Sequence, residues 1–394
     1  MATSDFYIQD NSDIEDKKLE AAKGLYQSGN YSGALKLYLD MINTSSSYKL
    51  YYEIGRCYYR TDDMINAENY FNQSIGLESL KNPSYLYLGN IYYKRGNVEK
   101  AIEYWMFAYA YKPDDESVCL NLATSYFSKE MKFQSMYYYQ KYLKYAKDKT
   151  SIHYQEIKKS IDEFGKMGSE FYQKAQRAIS MNDNSTAIQA LEYAAKNFPT
   201  GFDINYRLGK LYYEEKDYRN ALIYIRQAYC VDKKSLDILQ MLSSIMINLR
   251  DIKGAYCCFK RIMPLVMNNQ REYLEVVRTA KQLETGIEEK NTDYNMELAE
   301  RYYKDNNYHL ALYEYENCVI LSPDLAKELD KRIQQLKMFL NPEERIIKSC
   351  FEKGGASYSN GDYIRSNKYF TKIMTLSERE SSEYKFAKSR LMNV

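Results

Sequence analysis

A pattern of 34 residues recurs along most of this 394-residue chain, and such a repeat leaves few folds open to it. The clearest copy, residues 82–115, reads NPSYLYLGNIYYKRGNVEKAIEYWMFAYAYKPDD. Leu88, Gly89 and Tyr92 share one face of a first helix. Gly96 and Asn97 interrupt the helical pattern, and Val98, Ala101, Trp105 and Ala108 mark one face of a second helix. Pro113 cannot continue that helix, so the unit closes there. Gly89 and Ala101 are small because two helix backbones approach closely only where no side chain stands between them.

The same positions can be read elsewhere. Residues 15–149 hold four consecutive units, the first with Ala22, Leu25, Gly29, Tyr31, Ala34 and Tyr38 in the pattern positions. In the second, Asp62 stands at the turn position, and in the fourth, Glu130 does. A block of three units is expected over 168–269, one further unit over 292–325, and a degenerate one over 347–380. The intervening stretches 150–167, 270–291 and 326–346 break the period and read as helical spacers. Residues 1–14 read as a disordered, polar lead-in, and 381–394 as a capping helix with Tyr384, Ala387 and Leu391 on one face. This pattern resembles the tetratricopeptide repeat on the strength of Leu88, Gly89, Tyr92, Gly96, Ala101, Trp105, Ala108 and Pro113 and their counterparts. The resemblance implies an all-α fold, an α-solenoid in the form of a right-handed superhelix, with a concave groove lined by first helices.

Charge and composition exclude several functions. Fifty-five basic residues are balanced by 53 acidic ones, which provides no global footprint for nucleic acid. Forty-four tyrosines and only six prolines suit helices packed through aromatic rings. The seven cysteines show no CxxC or metal-ligand spacing, so buried thiols in a reducing compartment are expected, with no metal site. No stretch is long and apolar enough for a membrane helix, and the N-terminal residues lack a secretory pattern, so a cytoplasmic location is expected. His153 and His309 have no partners at triad or ligand spacing and read as surface or spacer residues. No phosphate loop, dinucleotide fingerprint or zinc-protease motif occurs, and neither enzymatic activity nor a small-molecule cofactor is expected.

The expected groove does carry a pattern. Its ninth, twelfth and thirteenth positions in the first block include Lys23 and Tyr26, then Arg56, Tyr59 and Arg60, then Asn90, Tyr93 and Lys94, and finally Phe127. No acidic residue occupies those positions in the first block, and an aromatic ring stands at every twelfth position. In the second block Tyr206, Lys210 and Tyr213 continue the surface. Rings beside cations favour an acidic segment or a terminal carboxylate. The alternative open at this point is that the tyrosines brace adjacent helices and the cations are merely solvated. Asn90 and Asn121 match two parts of the carboxylate clamp found in family members that hold chaperone tails. Leu86 stands where that clamp requires lysine, so chaperone-tail binding is not expected. The resemblance therefore implies a scaffold or adaptor holding a partner peptide or helix in the groove. The alternatives are a receptor for a small signalling peptide and, against the near-neutral charge, an RNA-binding helical repeat.

Overall fold

The computed structural model describes residues 4–42, 46–79, 81–197, 201–287, 291–379 and 381–392, and every regular element among them is helical. No helix among them is long and apolar enough to cross a membrane. The chain forms two compact units, Met1–Pro113 and Asp114–Val394. Unit 1 consists of three helix pairs: α1 (Ser4–Gln27) with α2 (Tyr31–Ile42), α3 (Tyr48–Arg60) with α4 (Met64–Leu77), and α5 (Ser84–Lys94) with α6 (Val98–Tyr111). The lead-in expected to be disordered is helical from Ser4 onward. A helix already formed at 15–27 propagates cheaply into a stretch without glycine or proline.

Unit 2 begins with α7 (Glu116–Ser128) and α8 (Lys132–Tyr145), followed by the long α9 (Ile152–Ser180) and α10 (Asn184–Asn197). Next come α11 (Phe202–Glu214) with α12 (Tyr218–Val231), α13 (Leu236–Asn248) with α14 (Ile252–Val266), and the single α15 (Gln270–Thr285). The chain continues through α16 (Asp293–Lys304), α17 (Tyr308–Leu321), a 3-10 turn at Pro323–Leu325 and α18 (Ala326–Leu340). It ends with α19 (Pro342–Ser359), α20 (Tyr363–Leu376) and α21 (Ser382–Met392). The stretch 150–167 thus makes the first half of α9, fused to a repeat helix without a break. The fourth pair, expected in one block with the first three, belongs instead to unit 2, because its helices pack against distant parts of that unit.

Turn chemistry explains the pairs. Among the described residues nine have left-handed backbone: Gly29, Asp62, Gly96, Glu130, Asn182, Lys216, Arg250, Asn306 and Gly361. Each closes a first helix of one of the nine expected repeats. The next residue commonly caps the second helix with its side chain: Asp63 Oδ1 accepts from the Asn66 amide at 3.1 Å, and Asp251 Oδ1 from the Gly254 amide at 2.8 Å. Asn97, Asp217 and Asp362 cap in the same way. Six of the nine turn residues are not glycine, and the left-handed conformation costs an L-residue about 1–2 kcal/mol. Glycine would relieve that strain while losing about 0.4–1 kcal/mol through its freer unfolded chain. Arg250→Gly is therefore expected to raise the stability of unit 2 by ~0.5 kcal/mol, and Arg250→Val to lower it, read as opposite shifts of the urea midpoint.

Within each pair a small residue admits a large one. A Cβ added at Gly55 would stand 2.7 Å from the Phe71 ring, and one at Gly209 would stand 2.6 Å from Ile225. Gly89 accommodates Trp105 in the same way.

Unit 2 departs from a simple stack. In a regular repeat array each unit touches only its neighbours, and the exposed side of the second helix is polar. Here α17 is buried on all its faces, including Tyr308, Leu312, Tyr313, Glu314, Tyr315, Asn317 and Leu321. The Tyr313 ring lies 5.5 Å from Tyr229 of α12 and 4.5 Å beneath the guanidinium of Arg261 of α14. Arg261 also donates to Asn317 Oδ1 at 2.7 Å. From the far end of the unit, Tyr126 Oη donates to the Asn306 carbonyl at 3.3 Å and Lys129 Nζ to Asn306 Oδ1 at 3.2 Å. Lys141 pairs with Glu343 at 2.6 Å and Lys372 with Asp114 at 2.6 Å. The first pair of unit 2 is thereby tied to its last helices, and the unit closes on itself.

This closure corrects the reading of His309 as a surface residue. Its ring packs edge-on to Phe133 at 6.0 Å, and Nδ1 is buried with no hydrogen-bond partner. Burial, helped by the nearby Lys233 charge, pushes the imidazole down to about 3, so it stays neutral. His153 is exposed. Six cysteines are buried and Cys230 is half-buried, all as free thiols. Burial raises the Cys257 thiol to about 12, which leaves it unreactive.

Candidate functional site

The first helices of unit 1 bring the expected groove residues into one ladder of rings and cations. The Arg56 guanidinium stacks over Tyr26 at 4.2 Å and Tyr52 at 5.5 Å. Tyr52 meets Tyr87 at 5.8 Å, and Tyr87 meets Tyr59 edge-on at 5.2 Å. Lys94 Nζ lies 5.1 Å above the Tyr59 ring. Arg60 donates through Nε to Tyr26 Oη at 3.3 Å and reaches the Tyr31 ring at 6.0 Å. Adjacent pairs therefore join through alternating π faces and positive charges, an arrangement worth about 0.5–1 kcal/mol per exposed contact.

The ninth, twelfth and thirteenth positions carry no acid, but acids at neighbouring positions reach their cations. Glu53 accepts from Arg56 Nη1 at 2.8 Å, Asp62 stands 3.6 Å from Lys94, and Glu20 binds Lys23 at 2.7 Å. Burial pushes the Glu53 carboxyl up, and the Arg56 charge pulls it back. Arg60 is exposed, and no carboxylate pairs with it among the described residues. Arg56 Nε is buried without a hydrogen-bond partner. The sequence reading missed Tyr52, Glu53 and Tyr87 because it sampled only the ninth, twelfth and thirteenth positions. Their own positions, three or four residues before the ninth, lie one turn back on the same face.

Two expected residues do other work as well. Asn90 Oδ1 accepts from Trp105 Nε1 at 3.1 Å, so that amide is engaged in holding the indole. Tyr93 packs on the same indole at 5.5 Å and remains 49% exposed. In unit 2, Tyr206 and Tyr213 pack against the core formed by α12 and α13. Tyr213 also meets the Tyr218 ring at 5.4 Å and accepts from Asn248 Nδ2 at 3.4 Å. There the bracing alternative describes the tyrosines, while Lys210 is exposed. Phe127, 67% exposed, lies in unit 2 beside α8 and α9 rather than in the ladder. Among the described residues no cluster of histidine, cysteine or carboxylate side chains could hold a metal ion.

Two tetratricopeptide-repeat profiles match the chain, at residues 48–79 and 172–236. No curated protein matches it. Among solved structures, the TPR domain of P58(IPK) is 15% identical, with 96% of this chain and 99% of that one covered and a TM-score of 0.26. The TPR2AB domain of yeast Sti1, solved as a pHSP90 complex, is 13% identical over 69% of this chain and 97% of that one, with a TM-score of 0.27. A tetratricopeptide repeat protein from Parabacteroides merdae is 12% identical over 68% and 98%, with a TM-score of 0.33. Helix pairs closed by left-handed turns at the repeat spacing and the two profile matches agree that the chain carries tetratricopeptide repeats.

Proposed function

We propose that the protein is a non-enzymatic protein-interaction scaffold and that unit 1 holds an acidic peptide segment against the first helices α1, α3 and α5. One observation carries this reading: the run Tyr26, Arg56, Tyr52, Tyr87, Tyr59 and Lys94 forms a continuous face of rings and cations, with Arg60 exposed at its edge. Rigid rings supply contact area at low entropic cost, and a guanidinium without a carboxylate partner favours an acidic side chain or terminus. The internal acids Glu53 and Asp62 partly neutralise the face, so affinity rests on ring contact as much as on charge.

The test is affinity capture from lysate at two salt concentrations, with the wild type beside Arg60→Glu/Lys94→Glu. Both side chains are exposed, so the fold survives their reversal. Arg56 is left intact because it neutralises the half-buried Glu53. A captured peptide-bearing partner is expected to bind the double variant at least ~30-fold more weakly, the scale of a lost hot spot. High salt should weaken the wild-type complex as well. Equal retention by both baits removes the ladder as the site, and recovery of nucleic acid removes the scaffold reading.

A further inference from the structure

The first half of α9 has no counterpart in a repeat. It extends the repeat helix by about four turns and runs antiparallel to α8, joined to it near Tyr142 and Tyr154, whose rings lie 6.2 Å apart. Between the two helices lies a groove of about 470 Å³. One wall is the stripe Ile157, Ile161 and Phe164 of α9, spaced so that all three face one side. Met136 and Tyr139 of α8 form the other wall, and Phe127 lines the same groove. Phe164 is 40% exposed, so this apolar face stands uncovered.

The groove has a charged end. Because α8 and α9 are antiparallel, Lys132 at the start of α8 lies with the Phe164 end, and Lys196 at the end of α10 joins it there. Neither lysine has a carboxylate partner among the described residues. Both also line a second cavity of about 700 Å³, whose lining includes Glu130, Glu192, Arg226 and His309. The opposite end carries His153 and Glu156. The groove is thus apolar along its length and cationic at one end.

We propose that this groove binds an amphipathic helix of a partner protein, about three turns long, whose apolar face meets Ile157, Ile161 and Phe164 and whose acidic end meets Lys132 and Lys196. The stripe fits a helix because residues spaced by one turn on α9 meet residues spaced by one turn on a helix lying along it. The two unpartnered lysines set the polarity and the sign of the ligand's charge. None of these residues belongs to unit 1, so the proposal stands or falls apart from the tyrosine–cation ladder.

The test uses fluorescein-labelled synthetic 14-residue peptides with leucines at i, i+3, i+4 and i+7. One carries two glutamates at its N-terminal end, one carries them at its C-terminal end, two carry lysines instead, and one is scrambled. Anisotropy with the full-length protein should show one glutamate peptide binding at least ~10-fold more tightly than its lysine counterpart and the scrambled control. Ile161→Glu, on the uncovered half of α9, should weaken that binding ~10-fold or more with unchanged circular dichroism. Lys132→Glu/Lys196→Glu should reverse the preference toward the lysine peptide. Equal binding of both charges, or full binding by both variants, overturns the proposal. Self-association of the wild type that Ile161→Glu abolishes also overturns it, by giving the groove to a second copy of the chain.

Discussion

Trp105→Ala is expected to cost unit 1 about 3–5 kcal/mol, the range for removing a fully packed aromatic side chain from a core. Trp105 is the only tryptophan in the chain and is 2% exposed. It fills the space that Gly89 leaves on α5, and its Nε1–H donates to Asn90 Oδ1 at 3.1 Å and to the Leu86 carbonyl at 3.3 Å. Alanine would leave a cavity between α5 and α6 and would remove the donor from both acceptors. The backbone of α5 cannot collapse far to fill the gap, because Leu88 and Ile91 already hold it in the core. Trp105→Phe keeps most of the contact area but not the donor, and should cost about 1–3 kcal/mol. Urea unfolding followed by far-UV circular dichroism measures both variants. A loss below ~1 kcal/mol for alanine would contradict this account of the α5–α6 contact.

Glu314→Ala is expected to destabilise unit 2 by about 3–5 kcal/mol, the usual consequence of breaking a buried charge pair from one side. Glu314 is 1% exposed on α17. Its carboxylate accepts from Asn295 Nδ2 and Asn317 Nδ2, each at 2.9 Å, and from Arg226 Nη2 at 3.3 Å. The three donors come from α16, α17 and α12, so one side chain joins three helices of the closed unit. Alanine would strand a half-buried guanidinium and two amides at once. Glu314→Gln retains shape and an acceptor oxygen while removing the charge, and should fall between alanine and wild type. Thermal melts of the three proteins should rank in that order. A glutamine variant as stable as wild type would contradict the role of the charge, because glutamine loses both the charge and one acceptor oxygen.

The repeat was legible because its causes are local. A left-handed turn residue, an Asp or Asn cap after it and a small residue opposite a large one all lie within 34 residues, and each leaves a residue type at a countable position. The phase of the units could be followed even where glycine was absent, since Asp62, Glu130 and Arg250 adopt the same backbone. The rings and cations of α1, α3 and α5 came together because successive first helices present equivalent positions to one another. Glu53 escaped notice only because it lies outside the positions read: its pairing with Arg56 is an i, i+3 contact on one helix face, which the helical period itself provides.

The closure of unit 2 was illegible because its causes are long-range. Tyr126 and Lys129 reach Asn306 across roughly half the chain, and nothing near either sequence marks that meeting. In repeat phase His309 looks solvated and Glu314 looks like one of many surface acids. Glu314 becomes interior, and His309 loses solvent at Nδ1, because α17 is covered from several sides by elements far away in sequence. Short-range sterics and capping chemistry therefore decided the helices, their turns and their pairing. Which second helix would be buried, which charges would lose water and where an uncovered groove would remain followed only from long-range packing, which depends on contacts that no single repeat contains.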